Sequence, residues 1–167
     1  MIRRKANRLA RAATVGAGTL LLVAAGCGDD DEEPGAAAAD ADRVQEEYVD
    51  DVRGAIGPIA PQSQQLIAQV GQAQSIGDLS QPLAEAARGY RAATRELEDI
   101  TPPEDVAALH GRLVETQRQI ADATKEAKQA AEDDDRDGLD EFSEAGDRYA
   151  KRSRALSERF SELGYEF

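Results

Sequence analysis

One short acidic stretch has the residue spacing of a calcium-binding loop. The run Asp133-Asp134-Asp135-Arg136-Asp137-Gly138, followed by Glu144, matches the D-x-D-x-D-G-x5-E pattern of an EF-hand. In such a loop, carboxylates at alternate positions and one backbone carbonyl ligate calcium, and a bidentate glutamate completes the site. The candidate ligands are Asp133, Asp135, Asp137, the carbonyl of Leu139, and Glu144.

The same stretch also has the composition of a polar turn between two helices. Asp140 occupies a position that is usually apolar in EF-hands, and no second loop accompanies this one in the sequence. The apolar stripe of the last predicted helix already begins at Leu139, so the second half of the loop must be helical, with Asp137 as the N-cap of that helix. We favour the polar turn and keep calcium binding as the alternative.

Few other residues could carry catalysis. The chain has one His and one Cys, which excludes multi-histidine metal centres, Cys-rich zinc sites and internal disulfides. His110 has no titratable neighbour one turn away on its own helix, so we expect a partly exposed helix residue and not a general base. The sequence also lacks the Glu-x-x-His pairs of di-iron bundles. We therefore predict no enzyme activity and no cofactor, with a carboxylate-dependent enzyme as the catalytic alternative.

The only Cys follows a segment with the three parts of a secretory signal. Residues 1–11 carry five basic residues and no acid, an apolar stretch covers residues 12–25, and small residues precede Cys27. Fourteen residues of helix span about 21 Å, less than the ~30 Å hydrocarbon core of a membrane, so a removable leader is favoured. The run Leu22-Val23-Ala24-Ala25-Gly26-Cys27 resembles the lipobox of bacterial lipoproteins.

That resemblance implies cleavage before Cys27 and a lipid on its sulfur. Residues 1–26 would be the removed signal peptide, and palmitate-type acyl chains would hold Cys27 at the extracytoplasmic face of the cell membrane. Stable anchoring takes more than one acyl chain, and the lipoprotein family places several on the one Cys.

The chain beyond the leader is strongly acidic. Removing residues 1–26 leaves 15 Lys and Arg against 33 Asp and Glu, a net charge of −18. Such a charge keeps a protein soluble and argues against nucleic acid as a partner, because phosphate contacts require Lys and Arg. Residues 27–41 hold five consecutive acids followed by Pro, Gly and Ala, a composition that predicts a disordered acidic tether.

Residues 42–167 have the pattern of packed helices. Apolar residues recur at alternating spacings of three and four, and no segment alternates with the period of a strand. Four such stripes run over Val49–Ala73, Leu83–Ile100, Val106–Ala130 and Leu139–Leu163. Short turns make consecutive helices antiparallel, so we predict an all-α, up-down-up-down four-helix bundle. An elongated antiparallel coiled coil is the structural alternative.

The first stripe contains residues that disturb a helix. Gly57-Pro58 and Pro61 lie within it, and each Pro removes an intrahelical hydrogen bond. Because the stripe keeps its phase across them, we predict one kinked helix in preference to two.

The ends of the predicted helices carry capping signals. Thr101-Pro102-Pro103-Glu104 predicts a capping box with Pro102 at the first helical position. Gly77 and Asp78 predict the end of the first helix and the N-cap of the second, and Gly164 predicts the end of the fourth.

An anchor, a tether and a helical domain without a catalytic set favour a binding or scaffold role. We expect a membrane-anchored extracytoplasmic lipoprotein whose bundle binds an unidentified protein or cell-envelope partner. A calcium-responsive protein using Asp133–Glu144 and a carboxylate-dependent enzyme are the alternatives. The acidic, Ala- and Arg-rich style resembles uncharacterised helical lipoproteins of high-GC Gram-positive bacteria, a likeness that assigns no functional residue.

Overall fold

The computed structural model describes the backbone of residues 34–167 and the side chains of residues 40–167. Cys27, the predicted leader and the first part of the predicted tether lie outside the described residues. Residues Glu33–Phe167 form one compact unit. Its described part consists of helices and connecting loops, without a strand. The all-α prediction is confirmed.

The unit contains five α-helices, with a single 3-10 turn before two of them. The helices are α1 (Pro34–Ile56), α2 (Ile59–Val70), α3 (Ser80–Asp99), α4 (Ala107–Glu132) and α5 (Arg136–Glu162), and the 3-10 turns are Gly77–Leu79 and Glu104–Val106. Helix α4 is central, since it packs along α3 on one side and α5 on the other, while α1 and α2 lie against α3. When α1 and α2 are counted as one interrupted helical segment, the chain has four packed segments, which make the predicted helical bundle.

The first helical segment is interrupted between α1 and α2, where the sequence predicts a kink. Pro58 has no N–H for the carbonyl of Gly54, so a helical hydrogen bond is missing there. The Gly57 N–H still donates to the Arg53 carbonyl at 2.8 Å, and the backbone of Pro58 stays in the helical region. The predicted single kinked helix is nevertheless two helices, and no residue of α2 is fully buried.

Helix α1 begins earlier than the sequence analysis predicts. Residues 34–41, assigned to the disordered tether, form its first two turns. Pro34 suits the first position of a helix, and the alanines of Ala36–Ala39 are the strongest helix formers. The acidic run therefore leads directly into a helix.

Two apolar clusters fill the bundle, one toward each end. The larger cluster contains Tyr48, Val52, Ala55, Leu97, Val106, Leu113, Val114, Phe160 and Tyr165, and the smaller is centred on Leu83, Ala127 and Ala131. Between them, buried Thr94, Thr116 and Thr124 each donate a hydroxyl hydrogen bond to the carbonyl four residues earlier. The hydroxyls of these three buried threonines are therefore satisfied within their own helices.

Gly164 ends the last helix, as predicted. Its φ of +88° is the left-handed conformation that favours glycine. The Tyr165 N–H donates to the Phe160 carbonyl at 2.9 Å, and the Gly164 N–H donates to the Ser161 carbonyl at 3.0 Å. This is a Schellman motif, and it carries Tyr165 back onto Phe160 in the core.

The predicted capping box is wrong. Thr101 lies outside any helix, and Pro103 has an extended backbone (ψ 151°). Pro102 precedes another proline, which disfavours the helical conformation that a first helical residue needs. The chain then makes one 3-10 turn over Glu104–Val106 before α4 starts at Ala107 without a side-chain cap.

The predicted caps around Asp78 are wrong as well. Helix α2 ends at Val70, well before Gly77. The Asp78 carboxylate accepts the backbone N–H groups of Gln74 and Ser75, each at 2.9 Å, and so closes the preceding loop instead of capping α3. These two hydrogen bonds lower the pKa of Asp78.

The apolar stripes also reach solvent at two places. Val70 and Leu163 are each 48% exposed, because the chain leaves the helix at or next to both positions. In residues 34–167, none of the helices combines the length and the hydropathy needed to cross a membrane.

Candidate functional site

The acidic stretch of the predicted calcium loop forms a tight turn between α4 and α5. Asp134 has a φ of 57°, and the Asp135 N–H donates to the Ala130 carbonyl at 2.8 Å. Asp135 is the N-cap of α5, because its Oδ1 accepts the Gly138 N–H at 3.2 Å. The polar turn therefore forms, but its cap is Asp135 and not the predicted Asp137.

The remaining candidate calcium ligands lie along α5. Because the helix starts at Arg136, Asp137, Leu139 and Glu144 are helical residues and do not curve around a common centre. Glu144 faces Arg148 one turn on, with 3.9 Å between carboxylate and guanidinium. In the part of the chain described with side chains, no three His, Cys, Asp or Glu residues are grouped to hold a metal ion.

His110 is buried, contrary to the prediction of a partly exposed residue. Only 6% of it is exposed, and both ring nitrogens have partners. Nε2 lies 2.9 Å from the Leu97 carbonyl, and Nδ1 lies 3.1 Å from the Tyr48 hydroxyl. A carbonyl oxygen only accepts, so Nε2 carries the proton, and the neutral ring's Nδ1 accepts from Tyr48.

The surroundings of His110 favour this neutral form. Burial lowers the pKa of His110, although the Leu97 carbonyl works in the opposite direction. Burial likewise raises the pKa of Tyr48, and the nearby Tyr165 and Asp105 raise it further. Both side chains are thus uncharged near neutral pH and hydrogen-bonded to each other.

The C-terminal segment Leu163–Phe167 closes over this pair. The Tyr165 ring meets the Tyr48 ring edge-on at 5.5 Å between centroids, and its hydroxyl donates to Asp105 at 3.1 Å. Burial and this contact raise the pKa of Tyr165. From α1, Gln45 Nε2 donates to the Gly164 carbonyl at 2.7 Å. Since both nitrogens of His110 are occupied and covered, the network ties α1 to the rest of the bundle and offers no base to a substrate.

Sequence reasoning missed Tyr48 and Tyr165, the two aromatic partners in this network. A usable signal existed, because the chain contains only four Tyr and three Phe. Aromatic side chains bury large areas and dominate core energetics, so each of these seven is a candidate for the core. Tyr48, Phe160, Tyr165 and Phe167 gather in one cluster.

An open groove of about 790 Å³ runs between α4 and α5. Buried Thr116 and Leu156 and half-buried Leu109 form its floor. Small residues at Ala108, Gly111 and Ala155 keep the space open, and a Cβ added at Gly111 would meet nothing within 4 Å. The groove is an apolar depression on an otherwise charged surface.

Charged side chains of both signs form the rim of this groove. They are Arg112, Glu115, Arg152, Glu158, Arg159 and Glu162. Arg159 is paired with Glu162 at 2.8 Å, and Arg152 donates to the amide oxygen of Gln119. An apolar floor with a mixed polar rim fits an amphipathic segment of another molecule.

No family model, curated protein or solved structure matches the chain.

Proposed function

We propose that this chain is a lipid-anchored extracytoplasmic binding module. In this proposal, residues 1–26 are removed, Cys27 carries the lipid, and the helical unit binds an envelope partner through the α4–α5 groove. The anchor is supported by the sequence Leu22–Cys27, in which the only Cys follows a leader.

The observation that carries the binding role is the groove itself. Its lining residues are held in place by packing between α4 and α5, and Gly111 leaves open space where every other residue would place a side chain. A preformed apolar depression binds with a small ordering cost, since its walls are already fixed. The partner expected is an amphipathic peptide segment with apolar anchors and flanking charges of both signs.

The first experiment tests the anchor. Cells are fed labelled palmitate, and the label and membrane fraction are compared for the natural chain and Cys27→Ser. We expect label and membrane association in the natural chain and neither in the variant. A Cys27→Ser chain that stays with membranes would contradict the anchor.

The second experiment tests the groove with a photo-crosslinking amino acid at Gly111. The matched control is Gly146 on α5, an exposed helical glycine outside the groove whose added Cβ also meets nothing within 4 Å. We expect crosslinks to one envelope protein from position 111 and none from position 146. Co-expression of the natural chain should compete these crosslinks away, whereas co-expression of Gly111→Leu, whose side chain fills the groove, should leave them unchanged. The same crosslink pattern at both positions would refute binding through the groove.

A further inference from the structure

A second groove, of about 510 Å³, lies between α3 and α4 and is lined by arginines. Arg88, Arg91 and Arg95 come from α3, and Arg118 comes from α4. They are four of the 15 basic residues beyond residue 26, in a chain with 33 acids. Two carboxylates, Glu98 and Asp122, also reach this groove, so its local charge is positive on an acidic protein.

The three arginines of α3 share one face of the helix. Residues three and four apart are neighbours on a helix surface, so these like charges repel one another. Within residues 40–167, no carboxylate lies close enough (4.0 Å or less) to form an ion pair with Arg88, Arg91 or Arg95. By contrast, Arg43 and Arg53 each pair with an acid on their own helix.

Arg91 and Arg118 differ from their neighbours in how they are held. The Arg91 Nε donates to the Ala87 carbonyl at 3.1 Å, which fixes the side chain and leaves its terminal nitrogens toward solvent. Arg118 donates to Glu98 and Glu115, both at 2.6 Å, and so joins α4 to α3. Arg118 is therefore neutralised and braces the groove, while the three arginines of α3 supply its positive charge.

We propose that this groove binds a phosphate group through Arg88, Arg91 and Arg95. Guanidinium groups present planar pairs of N–H donors that match phosphate oxygens. An anion placed between the three arginines also relieves their mutual repulsion. The phosphate belongs either to an anionic lipid headgroup, which is a phosphodiester with one negative charge, or to a free phosphate compound, which carries two or more; both offer oxygens that accept hydrogen bonds from guanidinium groups. This inference does not depend on the α4–α5 groove or on Cys27.

The test uses the chain from Gly28 onward, which contains the whole compact unit Glu33–Phe167. Calorimetric titration with inorganic pyrophosphate at low ionic strength probes a free phosphate, since salt screens such contacts. Co-sedimentation with phosphatidylglycerol vesicles, against phosphatidylcholine vesicles, probes a headgroup. We expect saturable binding in one of these arms or in both.

The variants distinguish this site from general electrostatic attraction. The double variant Arg91→Gln/Arg95→Gln is expected to weaken binding at least tenfold, and its exposed positions leave the core intact. The matched control, Arg136→Gln/Arg154→Gln, removes two exposed arginines of α5 and is expected to bind as the natural chain does. Binding to pyrophosphate supports a free phosphate, and binding to vesicles alone supports a headgroup. Absence of binding in both arms, or an equal loss in both variants, overturns the proposal.

Discussion

Tyr48→Phe is the sharpest perturbation of the buried network, because it removes one hydroxyl and keeps the ring. The lost group lies 3.1 Å from Nδ1 of His110, and the two residues are 3% and 6% exposed. Without the hydroxyl, Nδ1 is a buried acceptor that water does not reach. Such an orphaned group costs about 1–3 kcal/mol, so the free energy of unfolding should fall by that amount.

The pH dependence of stability gives a second readout of the same network. His110 has its pKa lowered in the folded chain, whereas an unfolded His titrates near pH 6.5. Below pH 6.5 the unfolded chain therefore binds more protons, and stability falls as pH falls toward the folded pKa. In Tyr48→Phe the neutral ring loses its donor, so the folded pKa rises and this dependence becomes shallower.

The assay is urea unfolding of the natural chain and the variant at several pH values between 5.5 and 7.5. Tyr149→Phe is the control, since Tyr149 is a half-buried tyrosine of α5 whose hydroxyl has no hydrogen bond among residues 40–167. We expect the control to match the natural chain. If Tyr48→Phe also matched it in stability and in pH dependence, the assigned tautomer and the role of the network would be wrong.

Further substitutions test the packing, each by thermal unfolding at neutral pH. Gly111→Ala should stabilise by about 0.5–1 kcal/mol, because the added Cβ meets open space within a helix. Gly89→Ala should show no such gain, because its Cβ displaces the Gln62 amide, whose hydrogen bond to a backbone carbonyl of α3 is then lost. Asp134→Gly should stabilise by roughly 0.5–1 kcal/mol, since glycine tolerates a φ of 57°. Gln117→Leu should stabilise by about 1 kcal/mol, since the buried Oε1 of Gln117 lacks a hydrogen-bond partner. A loss of stability in any of the three variants expected to gain would contradict its local geometry.

The parts of the fold that sequence predicted are those governed by local periodicity. The spacing of apolar residues in α3 and α4 was enough to place Leu83, Leu97 and Leu113 in the core. Gly164 was identified because its role depends only on the residues beside it.

The predictions that were wrong concern residues whose environment is set by contacts distant in sequence or by the adjacent prolines. His110 is buried because Tyr48 lies over it, and these residues are 62 positions apart. Tyr165 reaches Asp105 across 60 positions, a separation that no helical pattern reveals. Thr101 fails as a cap because Pro102, which precedes another proline, is disfavoured in the helical region, and Pro103 is extended. The two grooves arise from pairs of helices, so their lining could not be assembled from either helix alone.

Helix α2 is the least secured part of the bundle, and this gives the protein a built-in order of opening. Two hydrogen bonds link it to α3: the Gln62 amide donates to the Glu85 carbonyl, and the Ser63 and Tyr90 hydroxyls bond to each other. Ile67 is 71% exposed, and the break at Gly57-Pro58 separates α2 from α1, whose Tyr48 and Val52 are buried in the core. Local opening follows the elements with the fewest buried contacts. Backbone amides of α2 should therefore exchange with solvent first and those of central α4 last. Proteases should cut within α2 while α1 is still packed in the bundle through Tyr48.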